Sequence, residues 1–316
     1  MPSLNLTKEF LNDRPSMDGD IVRSFGEATV PIARASGPLK ILRHDLGCVA
    51  FSGEDAGQFL HSLMCGECQK LELGETMLTG WCDPKGRVRY LLWLVRENDR
   101  WFVFLPLEQI ETFIKQISMF VLMAKVAIDD ISNDWGCLWL RTTTAQRPTL
   151  DKVAVHAMPD ITKDANRLWL VTGSAGALGA VWQTLDAEPR GAESGTDLEI
   201  YYGLPSLRGE TLGQFLPQEL NLEWLGGLSF EKGCYPGQEI VARVKFRGRV
   251  KSRVAISTGN NIGTVAPDGK IDIDGARVGT LLSARGDGSE AAAMAVVKLD
   301  DLDASGFALP KYAPHE

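Results

Sequence analysis

An α+β fold is the class this sequence predicts, and three observations carry it. Runs of β-forming residues and runs with apolar residues at helical spacing are mixed along the chain, without the strict alternation of a parallel α/β sheet. Hydrophobic residues make up 44% and charged residues 23% of 316 positions, the balance of an ordinary globular protein with more length than one core needs. After Lys251 the texture changes to short apolar runs broken by Gly, Asn, Pro and Asp, the mark of a small barrel or sandwich.

Residues 1–38 are polar and irregular and are expected to form an N-terminal arm. LKILRHDLGCVAFSG, from Leu39, reads as strand material ending at Gly53. In EDAGQFLHSLM, residues Ala56, Phe59, Leu60, Leu63 and Met64 recur at helical spacing, so a helix follows. MLTGWCD, RVRYLLWLV and RWFVFLP are three further β runs, the first two joined by a turn at DPKG. LEQIETFIKQISMFVLMA predicts a long helix with Ile110, Phe113, Ile114, Ile117 and Phe120 on one side. WGCLWLRT and RLWLVTG then read as strands and ALGAVWQTL as a helix, which repeats the layout. Residues 39–247 are accordingly read as one intertwined body. RVAIST, KIDIDG, RVGTLLSA and AAAMAVVKL supply the strands of a C-terminal unit, residues 248–316.

Several function classes are excluded at this level. No stretch reaches the roughly 18 uncharged apolar residues of a membrane span, and the start has no signal-peptide run, so a cytoplasmic protein without a membrane partner is expected. A net charge of −8 argues against a surface that binds nucleic acid all over, though it leaves room for a local basic patch. Six cysteines (Cys48, Cys65, Cys68, Cys82, Cys137 and Cys234) are too sparse for a disulfide framework, so any special thiol must justify itself chemically.

Most motifs have a plain reading. GSAGALGA at 173–180 is neither GxGxxG nor a P-loop, and small-residue helix packing accounts for it. Cys65-Gly66-Glu67-Cys68 lies at the C-terminal end of its predicted helix, where a thiolate is not favoured, and no second CxxC completes a zinc site; a structural or incidental pair is favoured. The four histidines have no metal-binding spacing, and no metal site is expected. SFEKGCYPGQEIVAR, residues 229–243, differs in kind. Gly233 and Gly237 bracket Cys234, Tyr235 and Pro236, which puts the thiol on a tight loop. Lys232 and Arg243 are cations able to stabilise a thiolate, and Gln238 and Glu239 are able to orient a ligand or a water. Just beyond, Arg243, Lys245, Arg247, Arg249, Lys251 and Arg253 occupy every second position with no acidic residue among them. On an extended strand they would share one face, suited to a polyglutamate tail or RNA phosphates.

These residues also carry a resemblance. FLPQELNLEWLGGLSFEKGCYPGQEIVARVKFRG closely resembles the signature of the YgfZ family, folate-binding proteins related to the T-protein (aminomethyltransferase) of the glycine cleavage system. WCDPKGRV at 81–88, YGLP at 202–205 and FLPQ at 215–218 fall in the expected order. The resemblance implies a T-protein-like fold, with a folate-binding body and a C-terminal β-barrel, and tetrahydrofolate or a derivative as cofactor. It implies a part in iron–sulfur cluster assembly or repair that affects Fe–S enzymes, including tRNA-modifying ones. The implied partners are folate and Fe–S proteins or their assembly machinery, with direct tRNA contact left open. The motif cysteine maps to Cys234, with Lys232, Gln238 and Glu239 beside it, while Tyr235, Arg243 and Tyr201 fall at positions for the cofactor. Three departures stand out. Arg89 occupies the place of the glycine-cleavage enzyme's catalytic aspartate, Tyr201 that of its pterin-gripping glutamate, and Leu46 that of a tryptophan found in some relatives. The cation at Arg89 argues against the alternative reading, a tetrahydrofolate-dependent aminomethyltransferase.

Overall fold

The computed structural model describes residues 16–18, 21–24, 35–161, 166–258, 264–265, 269–273, 276–285 and 291–314. Within the expected N-terminal arm, β1 (Ser16–Asp18) and β2 (Ile21–Ser24) pair as an antiparallel ribbon; residues 1–15, 19–20 and 25–34 of that arm lie outside the described residues.

The body follows in chain order. Strands β3 (Leu39–Leu42) and β4 (Leu46–Ser52) lead to helix α1 (Ala56–Leu63). Then come β5 (Thr76–Cys82), β6 (Val88–Glu97), β7 (Arg100–Pro106), helix α2 (Ile110–Ile117) and β8 (Ala127–Asp130). A second group has β9 (Trp135–Thr142), β10 (Ala154–Ala157), β11 (Arg167–Ser174), helix α3 (Ala175–Thr184), β12 (Glu188–Arg190) and helix α4 (Ala192–Tyr202).

Two five-stranded sheets result. One has the order β5-β6-β7-β4-β8 and is antiparallel throughout; the other, β10-β11-β9-β3-β12, is antiparallel except where β12 runs parallel to β3. Alternation along the strands explains how they stack. On β6, Leu91, Trp93 and Val95 enter a core shared with Phe102 and Phe104 of β7 and with Trp139, Leu168 and Leu170 of the other sheet. Trp93 meets Trp139 edge to face at 5.7 Å, and Phe102 stacks on Trp135 at 5.5 Å, so the sheets pack face to face. The intervening residues point outward: Tyr90, Leu92 and Leu94 join Phe59, Leu60, Phe113 and Ile117 under α1 and α2. On the second sheet Leu138, Leu140, Trp169 and Val171 meet Leu178 and Trp182 of α3. Both faces of each sheet are covered, which is why these strands read as continuous apolar runs.

Two expectations are corrected here. The long helix expected over residues 107–124 is regular α-helix only over Ile110–Ile117, with 3₁₀ turns before and after. Ile110, Phe113 and Ile117 are buried, whereas Met119, Phe120, Leu122 and Met123 are exposed, so beyond Ile117 no apolar stripe remains to hold a helix on the sheet. The alternating basic run is not one strand. Helix α5 (Gln238–Arg247) carries its first half, and only Arg253 lies on a strand, β13 (Ser252–Thr258).

After α5, β13 joins β14 (Thr264–Val265), β15 (Lys270–Ile273), β16 (Ala276–Arg285) and β17 (Ala292–Lys298), with a short helix α6 (Leu302–Ser305) at the end. They form an antiparallel sheet in the order β13-β17-β16-β15-β14, which is open among the described residues because no pairing joins β13 to β14. Val254, Met294 and Val296 face the body, and Ala255, Ile271, Val278, Val297 and Phe307 form a small core on the other side. No helix among the described residues is long and apolar enough to cross a membrane.

Candidate functional site

WCDPKGRV, FLPQ and GCYPGQE converge at the end of β5 and β6. Residues 213–215 pair beside β6, with Gly213 N–H donating to Val88 O (2.9 Å) and Val88 N–H to Phe215 O (2.8 Å). Gln218 Nε2 donates to Val241 O (2.7 Å), which ties FLPQ to the middle of α5. The segment then runs down β5, where a side chain at Gly227 would put its Cβ 1.7 Å from Leu78 O. No other residue fits there. The Gly227 carbonyl accepts from Thr79 Oγ1 (2.8 Å) and from the Cys65 thiol (3.4 Å), and Ser229 N–H donates to Cys65 O (2.9 Å).

The Cys234 loop is pinned at both ends. At its start, Lys232 turns inward and its Nζ donates to the carbonyls of His61, Met64 (2.6 Å) and Gly66 (3.1 Å). These carbonyls lie at the C-terminal end of α1, where backbone acceptors lack helical partners and a cation is favoured. Burial lowers the pKa of Lys232 from the ordinary lysine value, while three acceptors match the three donors of the protonated amine. The same Nζ sits 5.3 Å from the centre of the buried Tyr235 ring, and burial pushes that phenol far up. At the loop's other end Gly237 has φ +79°, and a Cβ on it would fall 2.4 Å from Asp83 O and 2.5 Å from the Gly86 backbone. The turn of WCDPKGRV and the glycine of GCYPGQE are thus in backbone contact, and only glycine permits it.

Between the pins, Cys234 is exposed, while the other five cysteines are buried. Gln238 opens α5 and its Nε2 donates back to Lys232 O (3.3 Å), bracing the loop; Glu239 beside it faces solvent. Arg243 is exposed more than a turn further along the helix. The expected group therefore splits. Lys232, Cys234, Tyr235, Gln238 and Glu239 share the loop and the first turn of α5. Lys232 spends its amine on backbone carbonyls. Tyr201 is placed by α4, and its half-buried ring meets Tyr202 (4.8 Å) and Lys311 (5.7 Å).

Beneath the loop lies a layer that sequence reasoning did not assemble. Cys65 and Cys82 are buried in hydrogen-bond contact, which together with burial drives the Cys82 pKa well up. Cys68 donates to Gly66 O (3.5 Å), and burial raises it to about 12. Cys68 and Cys82 are thus held protonated, whereas at Cys65 burial is outweighed by hydrogen bonds from Cys82, Thr79 and Gly80 and by the Lys232 charge, which lower its pKa. His61, under the same loop, has its pKa lowered by burial and by Lys232. The basic run is also redistributed. Arg253 is buried, its guanidinium 3.9 Å from the Trp224 ring and bonded to Glu223 and to Gln218 O (2.7 Å). Lys245 reaches Glu223 at 3.6 Å and Arg249 reaches Asp300 at 3.5 Å. Arg89 lies 5.6 Å over Trp81 and donates to Gln116 (2.7 Å).

No protein-family model matches the chain. Individual relatives do. It is 30% identical to the tRNA-modifying protein YgfZ of Edwardsiella ictaluri over 235 residues, 69% of this chain and 70% of the relative. It is 30% identical to the protein of that name from Escherichia coli O157:H7 over 246 residues, 73% and 75% of the two chains. The chain belongs to the YgfZ family. The YgfZ protein of an Enterobacter species is similar at 29% over 247 residues. Among solved structures, the glycine cleavage system aminomethyltransferase T from Bartonella henselae superposes with a TM-score of 0.64, covering 84% of this chain and 79% of its own, at 14% identity. That likeness establishes the shared fold and accounts for the T-protein-like architecture of this YgfZ-family chain.

Proposed function

We propose that this YgfZ-family chain is a cytoplasmic, folate-binding accessory protein for iron–sulfur cluster assembly or repair, acting on Fe–S enzymes that include tRNA-modifying ones. One observation carries the reading: Cys234 is the single exposed thiol of six, held out on a loop locked by Lys232 on one side and Gly237 on the other. A thiol presented in this way suits transient ligation, redox exchange or adduct formation with a docked partner. The relatives' name, tRNA-modifying protein, supports the client class.

Folate enters through the family resemblance and the T-protein-like fold. Tyr201 offers a half-buried ring backed by Lys311, and the buried Tyr235 hydroxyl has no hydrogen-bond partner among the described residues; each feature by itself suits a pterin-bearing ligand. When bound, the group would supply a one-carbon carrier; Tyr201, Tyr235 and Arg243 are the residues assigned to hold it. The alternative, aminomethyl transfer, is weakened at Arg89, whose guanidinium is held by Trp81 and Gln116 where the resemblance expects a carboxylate.

Titration calorimetry with tetrahydrofolate on wild type and Cys234→Ala tests the folate half. Saturable binding by both is expected, and no binding by wild type would remove it. Complementation tests the thiol half: Cys234→Ala, folded and expressed, should fail to restore Fe–S enzyme activity in cells lacking the chain, and full rescue would end the role of the thiol.

A further inference from the structure

The outward face of α5 is chemically unusual for a solvent face. Helical geometry puts Glu239, Ile240, Arg243, Phe246 and Arg247 on one side. All five are exposed, while Val241 on the opposite side is buried. Phe246 is 70% exposed and Ile240 40% exposed, so two large apolar side chains stand among guanidinium groups in water. The Phe246 ring is propped edge-on against Phe230 (6.1 Å, 72°), and the Lys245 amine lies 5.1 Å from the Phe230 ring. One face of Phe246 is thereby left open on a rigid support.

Charge decides what suits this face. Glu239 in the first turn is the one carboxylate on this face; beyond it residues 240–251 hold Arg243, Lys245, Arg247, Arg249 and Lys251 and no acidic residue, in a chain of net charge −8. Lys245 and Arg249 have carboxylate partners. Arg243, Arg247 and Lys251 make no ion pair among the described residues, and all three are exposed. Unpaired arginines beside an open aromatic ring are the two elements of single-strand recognition, phosphate neutralisation and base stacking. An acidic polypeptide would use the cations and leave Phe246 idle.

We infer that the outward face of α5, with Lys251 beyond its end, is a docking surface for a single-stranded or loop segment of RNA, with Arg243, Arg247 and Lys251 on phosphates and Phe246 stacked on an unpaired base. Helix α5 is about 15 Å long, so RNA seated there would lie within a few nucleotides of the Cys234 loop that opens it. The inference deepens the tRNA-modification side of the proposed function and shares only Arg243 with the folate assignment; because binding is measured without folate, either can fail alone.

The test is fluorescence anisotropy of the full chain with a labelled oligoribonucleotide of about a dozen nucleotides, within the range of single-strand site sizes. Wild type should bind with log K falling against log salt at a slope of about −2, from three phosphate contacts. Arg243→Gln/Arg247→Gln should weaken binding about ten-fold or more and flatten the slope by about 1.4. Phe246→Ala should weaken it about five-fold or more with the slope unchanged. Circular dichroism and melting of each variant confirm folding, and these exposed positions leave the core untouched. Absence of binding by wild type at low salt would overturn the inference, as would variants that bind like wild type. Competition by polyglutamate at equal charge, with no loss in Phe246→Ala, would assign the face to an acidic polypeptide instead.

Discussion

Lys232→Met separates an anchoring role from a chemical one. The sequence suggests a cation that stabilises a nearby thiolate, whereas the structure shows an amine turned inward onto three carbonyls. Methionine keeps the apolar stem and removes the donors. Of the three acceptors, Gly66 O retains the Cys68 N–H at 3.0 Å. His61 O is worse placed, because the Cys65 N–H that would continue the helix ladder onto it is spent on Gly80 O at 2.8 Å. One or two buried carbonyls therefore lose their donor, at about 1–3 kcal/mol each, partly offset because an ammonium no longer has to be desolvated. The expected loss is about 2–4 kcal/mol, a fall in Tm of roughly 3–6 °C for a chain this long. Thermal melts followed by circular dichroism measure it, and proteolysis should cut faster within residues 229–237, because the loop has lost its peg. A Tm within about a degree of wild type, where a surface substitution would leave it, together with unchanged proteolysis, would refute the anchoring argument and return Lys232 to chemistry.

Other perturbations address neighbouring claims. Gly237→Ala combines a left-handed φ with a Cβ inside contact distance of two backbones, so a loss of about 2–4 kcal/mol in urea unfolding is expected, and a neutral result would deny the close approach of the two turns. Thiol titration with a disulfide reagent should find one fast-reacting group in the native chain and six in denaturant, with the fast group absent in Cys234→Ala; two or more fast groups would contradict the burial of the other five. His44 is buried and its pKa is lowered to about 4, so between pH 6.5 and 4 the unfolded chain binds a proton that the folded chain does not, and stability falls as pH falls. From pH 7 to pH 5 wild type should lose about 2 kcal/mol more than His44→Gln; parallel pH profiles for the two would exclude His44 as the source.

The strands of the two body sheets were legible because they are covered on both faces. LLWLV and RWFVF read as β runs whichever side each residue takes, and turns such as DPKG mark their ends. Cys234 was legible too, since glycines at 233 and 237 announce a turn around it. Helix α5 was not. Its cations fall at every second position and imitate strand alternation, while its inward stripe is thin, with Val241 its one fully buried side chain. Reading charges without the apolar period gave the wrong element. The role of Lys232 was hidden for a different reason. Its partners are backbone carbonyls 166 to 171 positions away, and a carbonyl has no letter in the sequence.

The corrected helix changes how the site must work. A strand would have lined up six cations beside the thiol, whereas the helix sends Lys245 to Glu223, leaves Arg253 buried on its own strand, and turns only Arg243 and Arg247 outward. Lys232, the cation closest in sequence to Cys234, is held by carbonyls below the loop. The fold therefore supplies position more than activation: two pins fix where the sulfur stands, and Gln238 braces the backbone between them. A thiol held this way gains reactivity chiefly from the charge of whatever docks against it, as a metal or a cationic ring brings its own field. Under the proposed function, such a thiol would depend on its partner, in contrast to the self-contained acid–base apparatus of a transferase.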